Sequence, residues 1–234
     1  QAQRAKLDLV CKKLGLRSGM KVLELGCGWG TFAKFAAEHY GAEVTGYTVS
    51  KEQVALGRAL CKGLAVDLRL EDYRKATGQY DRVVSIGMME HVGHKNHRAY
   101  FETVDRCLKS DGLAFVHTIG SNVSETIIDS FFHKYLFPNA LIPSLAQITR
   151  AAEGLFVVED VHNIGPSYDP TLMAWHENFE AAWPELRAHY GDRFYRLWRF
   201  YLLSSAGSFR ARFTQLFQLV LSRPGTPQPE CRFG

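Results

Sequence analysis

Short apolar, β-branched runs alternate with helical patterns over the first two-thirds of the chain, the arrangement expected of successive βαβ units around a parallel sheet. Strands are predicted at 21–26 (KVLELG), 43–49 (EVTGYTV), 65–71 (AVDLRLE), 80–87 (YDRVVSIG) and 113–120 (LAFVHTIG), with helices between them. Asp111-Gly112 marks the turn before the fifth strand, and Gly41 the exit from the helix carrying Phe32, Phe35 and Ala36. From Ser121 the pattern changes to a helix-like stretch up to about Tyr135, a proline-punctuated loop (LFPNALIPS), another helix and a strand at 155–165. After PSYDPTL comes a long helical region rich in aromatics, from Trp175 through Phe179, Trp183, Phe194, Tyr195, Trp198 and Phe200 to Tyr201. A last alternating strand, TQLFQLVLSR (214–223), precedes a patternless tail at 224–234 that reads as a loose terminus. The expectation is one α/β domain over 1–223. Its sheet is doubly wound, seven-stranded and mostly parallel, with a helical insertion at about 121–208 between the last two strands.

Composition bounds this picture without redirecting it. A chain of 234 residues with 46% apolar and 22% charged residues can bury a large core. The net charge of +4 is carried without the Lys/Arg runs that track a nucleic-acid backbone, which argues against a nucleic-acid partner and permits an anionic membrane surface. Five cysteines with no Cys-x-x-Cys pair fit reduced thiols in a cytoplasmic setting. No apolar run approaches a membrane span, so membrane contact is expected to be peripheral.

The first chemical signal is LELGCGWGTF, after the first strand and opening a helix. Gly26, Gly28 and Gly30 let the chain turn tightly and bring backbone N–H groups to the crevice beyond the strand ends. Their G-x-G-x-G spacing departs from the G-x-G-x-x-G of dinucleotide sites, which disfavours an NAD(P)-dependent oxidoreductase. With Glu24 two residues ahead, the stretch resembles the first motif of S-adenosylmethionine-dependent methyltransferases, E/D-x-G-x-G-x-G. There the acid serves the ammonium end of the methionine moiety, whereas a carboxylate beside a diphosphate would be repulsive. Thr48 stands where an acid for the ribose is usual. Gln53, one helical turn further, has both an acceptor and a donor to offer the diol. Asp72 and Tyr73 fall beside the adenine by the same resemblance; their alternative is an ordinary loop position.

The stretches VLELGCGWG, TVSKEQ, YDRVVSIGMMEHVGHKN, HTIGS, FPNALIPS, YDPTLMAW, FEAAWPE and AGSFRAR occur in this order along nearly the whole chain. Together they resemble the catalytic domain of the cyclopropane-fatty-acyl-phospholipid synthases, a family that includes the mycolic acid cyclopropane synthases. The resemblance implies methylene transfer from S-adenosylmethionine to the cis double bond of an unsaturated phospholipid acyl chain, at the inner membrane surface. It implies a bound bicarbonate as base, held by Glu90, His117 and Tyr168 with the backbone at Ile119. Taken singly, Glu90 as a helix cap, His117 as a core histidine and Tyr168 as a packed aromatic are equally ordinary readings. Family members carry a YSCA-like segment ahead of the first helix seen here, so the chain is expected to be a fragment of a longer protein. A homo-oligomer is compatible with the sequence.

The aromatic helices and FFHKYLFPNALIPS are candidate walls for an acyl tunnel, although aromatics at helical spacing are more often plain core. Arg193, Arg196 and Arg199, with Lys134, are candidates for lipid phosphates or a solvated helix face. Amine N-methyltransferases and lipid C-methyltransferases share the expected scaffold, and a non-catalytic lipid-binding module is the competitor from another class. The histidine-rich IGMMEHVGHKNH fails as a helical metal site, because positions 91, 94 and 97 rotate by about 60° per step and Gly93 interrupts the helix. His91 is expected to be structural, and His94 and His97 to lie at the surface.

Overall fold

The computed structural model describes residues 1–127 and 129–233. Strands β1 (Lys21–Leu25), β2 (Glu43–Thr48), β3 (Val66–Leu70), β4 (Tyr80–Ile86), β5 (Leu108–Ser121), β6 (Val157–Asn163) and β7 (Thr214–Ser222) form one sheet in the order β3-β2-β1-β4-β5-β7-β6. The first five run parallel, and β7 lies antiparallel between β5 and β6. The strand order reverses between β1 and β4, so the crevice for a ligand opens at their carboxyl ends.

Alternation along the strands feeds two apolar layers. Val22, Val44, Val84, Phe115 and Val220 pack against helices α1 (Ala2–Lys13), α2 (Thr31–Tyr40) and α3 (Lys51–Leu60). Leu23, Leu25, Val83, Val116 and Leu219 face the other way, against Tyr100, Phe101, Val104, Ile148 and Ala152. These last belong to α5 (His97–Cys107) and α7 (Leu145–Ala152), with the single turn α4 (Met89–Val92) ahead of them. The helix starts are chemically marked: the Ser50 hydroxyl accepts from Gln53 N–H, and Ser144 and Gln147 form a reciprocal capping box.

Three sequence expectations change. The fifth strand begins at Leu108 and carries Asp111-Gly112 inside it, where a register shift opposite Tyr80–Arg82 absorbs the extra residues as a bulge. The helix expected from Ser121 shrinks to α6 (Ser130–Tyr135), since β5 extends to Ser121 and the Asp129 carboxylate caps Phe131 and Phe132; Ile128 lies outside the described residues. Within 121–208, the strand expected at 155–165 is β6. What lies between β6 and β7 is α8 (Tyr168–Arg210), broken at Gly191 and folded back on itself. Asp169 and Arg210, at its two ends, form a paired ion contact of 2.8 and 2.9 Å. Phe179, Trp183, Phe194, Tyr195 and Trp198 stack between its halves. Those aromatics are therefore the core of a helical hairpin. The tail from Pro224 has no regular element, yet it is tied down at its end: Cys231 is buried and Arg232 lies 3.2 Å from Asp160.

Candidate active site

The glycine turn leaves β1 with Gly26, Gly28 and Gly30 all at positive φ (74°, 52° and 76°). A side chain on Gly26 would come within 2.9 Å of Met88, whereas one on Gly28 would meet nothing within 4 Å. Gly26 thus leaves room for the Met88 side chain, and Gly28 borders open space. Behind the turn, Glu24 is 3% exposed, and its Oε2 is buried with no hydrogen-bond partner. Burial pushes its pKa up to about 8, opposed in part by the Ala33 N–H in the first turn of α2. A buried carboxyl oxygen without a partner is a place for a cation or a strong donor. The residues present therefore fit the cationic methionine end of S-adenosylmethionine.

At the end of β2, the Thr48 hydroxyl donates to Gln53 Oε1 at 2.7 Å. That contact orients the Gln53 amide and leaves its N–H donors and a second carbonyl lone pair free. Asp72 and Tyr73 part company. The Asp72 carboxylate accepts from Arg74 Nε and Nη2 at 2.9 and 2.7 Å and caps a turn at Tyr73–Lys75; the Arg74 guanidinium holds its pKa low. Tyr73 is half-buried, its ring centroid 6.0 Å from that of Tyr100.

Across the crevice, α4 follows β4 and carries Glu90, 7% exposed. The Ile119 backbone N–H donates to Glu90 Oε1 at 2.7 Å, while Oε2 is buried and unpartnered. Burial raises its pKa, opposed by its own N–H, that of Ile119 and the Thr118 hydroxyl. The Ile119 N–H expected at a bicarbonate is thus engaged by Glu90. Leu141, in the FPNALIPS loop, donates its N–H to the Glu90 carbonyl at 2.8 Å and fixes this turn from outside. Tyr168 opens α8 and packs with Ile119 in the hairpin's apolar cluster. Its pKa is raised by burial and by the charges of Tyr201 and Glu90, which places Glu90 within electrostatic reach. His117 lies two residues before Ile119, on the same face of β5. It is 3% exposed, and burial with the charges of Lys6 and Lys13 pushes its pKa down to about 3, leaving a neutral ring.

Other expectations resolve differently. His97 is not a surface residue: it is 3% exposed at the start of α5 and its Nε2 is unpartnered. His91 is exposed, edge-on to Phe137. Gly93 (φ 78°, ψ 141°) separates α4 from the next turn, so the three imidazoles sit on three separate elements. Arg193, Arg196 and Arg199 are exposed, and Arg199 lies 3.7 Å from Glu180. The groove of about 500 Å³ beside them is lined by one face of α8, from Tyr195 to Ser204, and includes none of the residues at the strand ends. Sequence reasoning missed Met88 against Gly26, and Gln218, whose Nε2 lies 3.3 Å from His117 Nδ1. The only sequence signal for Gln218 is a polar residue within the apolar run LFQLVL.

The seven-stranded sheet, its glycine turn over a buried acid and the crevice between β1 and β4 define the Rossmann-like fold of class I S-adenosylmethionine-dependent methyltransferases. Within that class, the chain belongs to the mycolic acid cyclopropane synthetase family, whose model matches residues 1–219. It is 50% identical over 222 residues to the cyclopropane-fatty-acyl-phospholipid synthase of Escherichia coli (strain K12), covering 95% of this chain and 58% of that protein. It is 34% identical over 235 residues to sphingolipid C9-methyltransferase A of Emericella nidulans, covering 94% of this chain and 46% of that one. The cyclopropane synthase MmaA2 from Mycobacterium tuberculosis superposes with a TM-score of 0.88 at 28% identity, over 95% of this chain and 84% of that one. The mycolic acid cyclopropane synthase CmaA1, complexed with SAH and CTAB, gives 0.87 at 30% identity over the same shares. The chain thus spans about half the length of these sequence relatives, 58% of one and 46% of the other. Among the described residues no helix is long and apolar enough to cross a membrane.

Proposed function

We propose that this chain is the catalytic part of an enzyme that transfers a methylene group from S-adenosylmethionine to the cis double bond of an unsaturated phospholipid acyl chain, closing a cyclopropane ring. The observation that carries this reading is Glu90, a buried carboxyl with one oxygen on the Ile119 N–H and the other unpartnered, across the crevice from the glycine turn of a family member. S-adenosylmethionine supplies an electrophilic methyl. Glu24 and the backbone of Gly26, Gly28 and Gly30 hold its amino-acid end, Gln53 offers N–H donors to the ribose, and Tyr73 walls the adenine. Asp72, paired with Arg74 at the surface, keeps acceptor lone pairs for the adenine edge.

An isolated alkene is a weak nucleophile, and its methylation leaves a carbocation on the acyl chain with no heteroatom beside it. The protein must align the alkene, exclude water and place electron density near that charge. Tyr168 offers a π face for it. Ring closure then needs a base at the new methyl. Bicarbonate is the base this site suits: the free oxygen of Glu90, when the carboxyl is ionised, accepts its O–H, while His117 and the Tyr168 hydroxyl donate to its other oxygens. An amine N-methyltransferase or lipid C-methyltransferase would use the same cofactor groups without ring closure.

Incubation with labelled S-adenosylmethionine and unsaturated phospholipid vesicles is expected to give a lipid one CH2 heavier that has lost its double bond. A methylated product that keeps unsaturation, or label only in an amine acceptor, would overturn the synthase reading. Glu90→Gln, His117→Gln and Tyr168→Phe are expected to lower turnover by roughly 100-fold or more with cofactor affinity little changed. Unchanged turnover in all three would remove the base-holding role.

A further inference from the structure

Gln218 is a fully buried polar residue on β7, and neither the cofactor nor the base-holding groups account for it. In the antiparallel register it lies directly across from His117 on β5 and from His162 on β6. Its side chain therefore shares a sheet face with both histidines. His162 is already engaged from outside the pair: its Nδ1 lies 3.2 Å from Lys13 Nζ, and that lysine also reaches Asp160 at 3.0 Å. The Gln218 amide turns the other way, with its nitrogen 3.3 Å from His117 Nδ1 and its Oε1 buried without a partner among the described residues.

An amide N–H can only donate, so the ring nitrogen it meets must be the unprotonated one. A neutral imidazole carries one proton, which then sits on Nε2. The same contact resists protonation of the ring, because an imidazolium would set an N–H at Nδ1 against the amide N–H. The positive charges facing His117 from α1, Lys6 and Lys13, act in the same direction. With the amide turned over, Oε1 would accept from Nδ1–H and the opposite nitrogen would become an acceptor. The orientation of one buried amide thus decides whether His117 presents a donor or an acceptor on its far side.

We propose that Gln218 is a positioning residue for His117: by donating to Nδ1 it fixes the Nε2–H tautomer, so that the ring offers a donor to the anion held beside Glu90. This rests on the placing of His117 at the base site above, and the test separates the two. In the protein labelled with 15N-histidine, the His117 signals are identified by their loss in His117→Gln. They are expected to show an unprotonated Nδ1 and a protonated Nε2, unchanged between pH 8 and 5. Gln218→Glu puts an acceptor where the donor was; it is expected to move a proton onto Nδ1 and to lower kcat about tenfold or more, with KM for S-adenosylmethionine within about twofold. Gln218→Leu, which neither donates nor accepts, is expected to give mixed tautomers and an intermediate kcat. A protonated Nδ1 in the unmodified protein overturns the proposal, whether or not Gln218→Glu folds. So do an unaltered tautomer and kcat in both Gln218 variants. The expected tautomer together with a fully active His117→Gln supports the action of Gln218 on the ring and overturns instead the placing of His117 at the base site.

Discussion

Burial lifts the Glu24 pKa to about 8 against the opposing Ala33 N–H, so the ligand-free protein is expected to hold this carboxyl mainly protonated at neutral pH. A cation docking beside it would restore the carboxylate, so binding of S-adenosylmethionine is expected to release a proton below that pH and to strengthen as the pH rises towards it. Calorimetry in two buffers of different ionisation enthalpy should show this release at pH 6.5 and its disappearance above pH 8, each an approximate bracket of the raised value. Glu24→Gln is expected to abolish the release and to weaken binding by roughly 10- to 100-fold, the worth of a charge-assisted contact of about 1.5–3 kcal/mol. The sign for folding is opposite. A raised carboxyl pKa contributes stability that is fully present below the ordinary value of 4.5 and is lost as pH rises through about 8, so the ligand-free Glu24→Gln protein should lack that decline. Binding without proton release, unaffected by Glu24→Gln, would remove the residue from the cofactor site.

At the scale of elements, the glycine turn separates a folding role from a binding role. Gly26→Ala forces a Cβ within 2.9 Å of Met88 at a positive φ, so it should cost about 2–3 kcal/mol of stability and disturb the strand end that leads to Glu90. Gly28→Ala adds only the left-handed strain of about 1 kcal/mol, since its Cβ enters open space; it should fold and bind S-adenosylmethionine poorly. Denaturation and cofactor titration of the pair check this, and equal behaviour of the two variants would contradict it. The turn, the strands and their alternation were legible because each rests on local periodicity or on glycine chemistry. What the sequence hid depends on partners far along the chain. His97 reads as polar surface and is buried by its helix's packing. Asp72 looks free until Arg74 is seen curling back onto it. The Glu90–Ile119 contact joins a helix turn to a strand 29 residues away, so the family motif located both residues without showing that they bind each other.

Across the whole molecule, the two ends of the chain meet at one buried ion pair. Lys13, at the end of α1, is fully buried and donates to Asp160 on β6 at 3.0 Å; Arg232 in the tail approaches the other oxygen of the same carboxylate at 3.2 Å. Burial works against the charge on Asp160, but Lys13 and Arg232 together hold its pKa below the ordinary value. Such a pair is weak evidence of net stability when whole, yet removing one partner strands the other's charge. Lys13→Met or Asp160→Leu should therefore each destabilise by about 3–5 kcal/mol, whereas the two combined should recover much of that loss. Arg232→Ala, whose side chain is 83% exposed, should cost under about 1 kcal/mol. Because the Asp160 pKa is depressed, its share of stability is present above the ordinary value of 3.8 and is lost as pH falls through the lower folded value. Urea unfolding of the four variants at neutral pH distinguishes the cases. Additive single losses in the double variant would mean that Lys13 and Asp160 act independently, and that the first helix is held to the sheet by its apolar face alone.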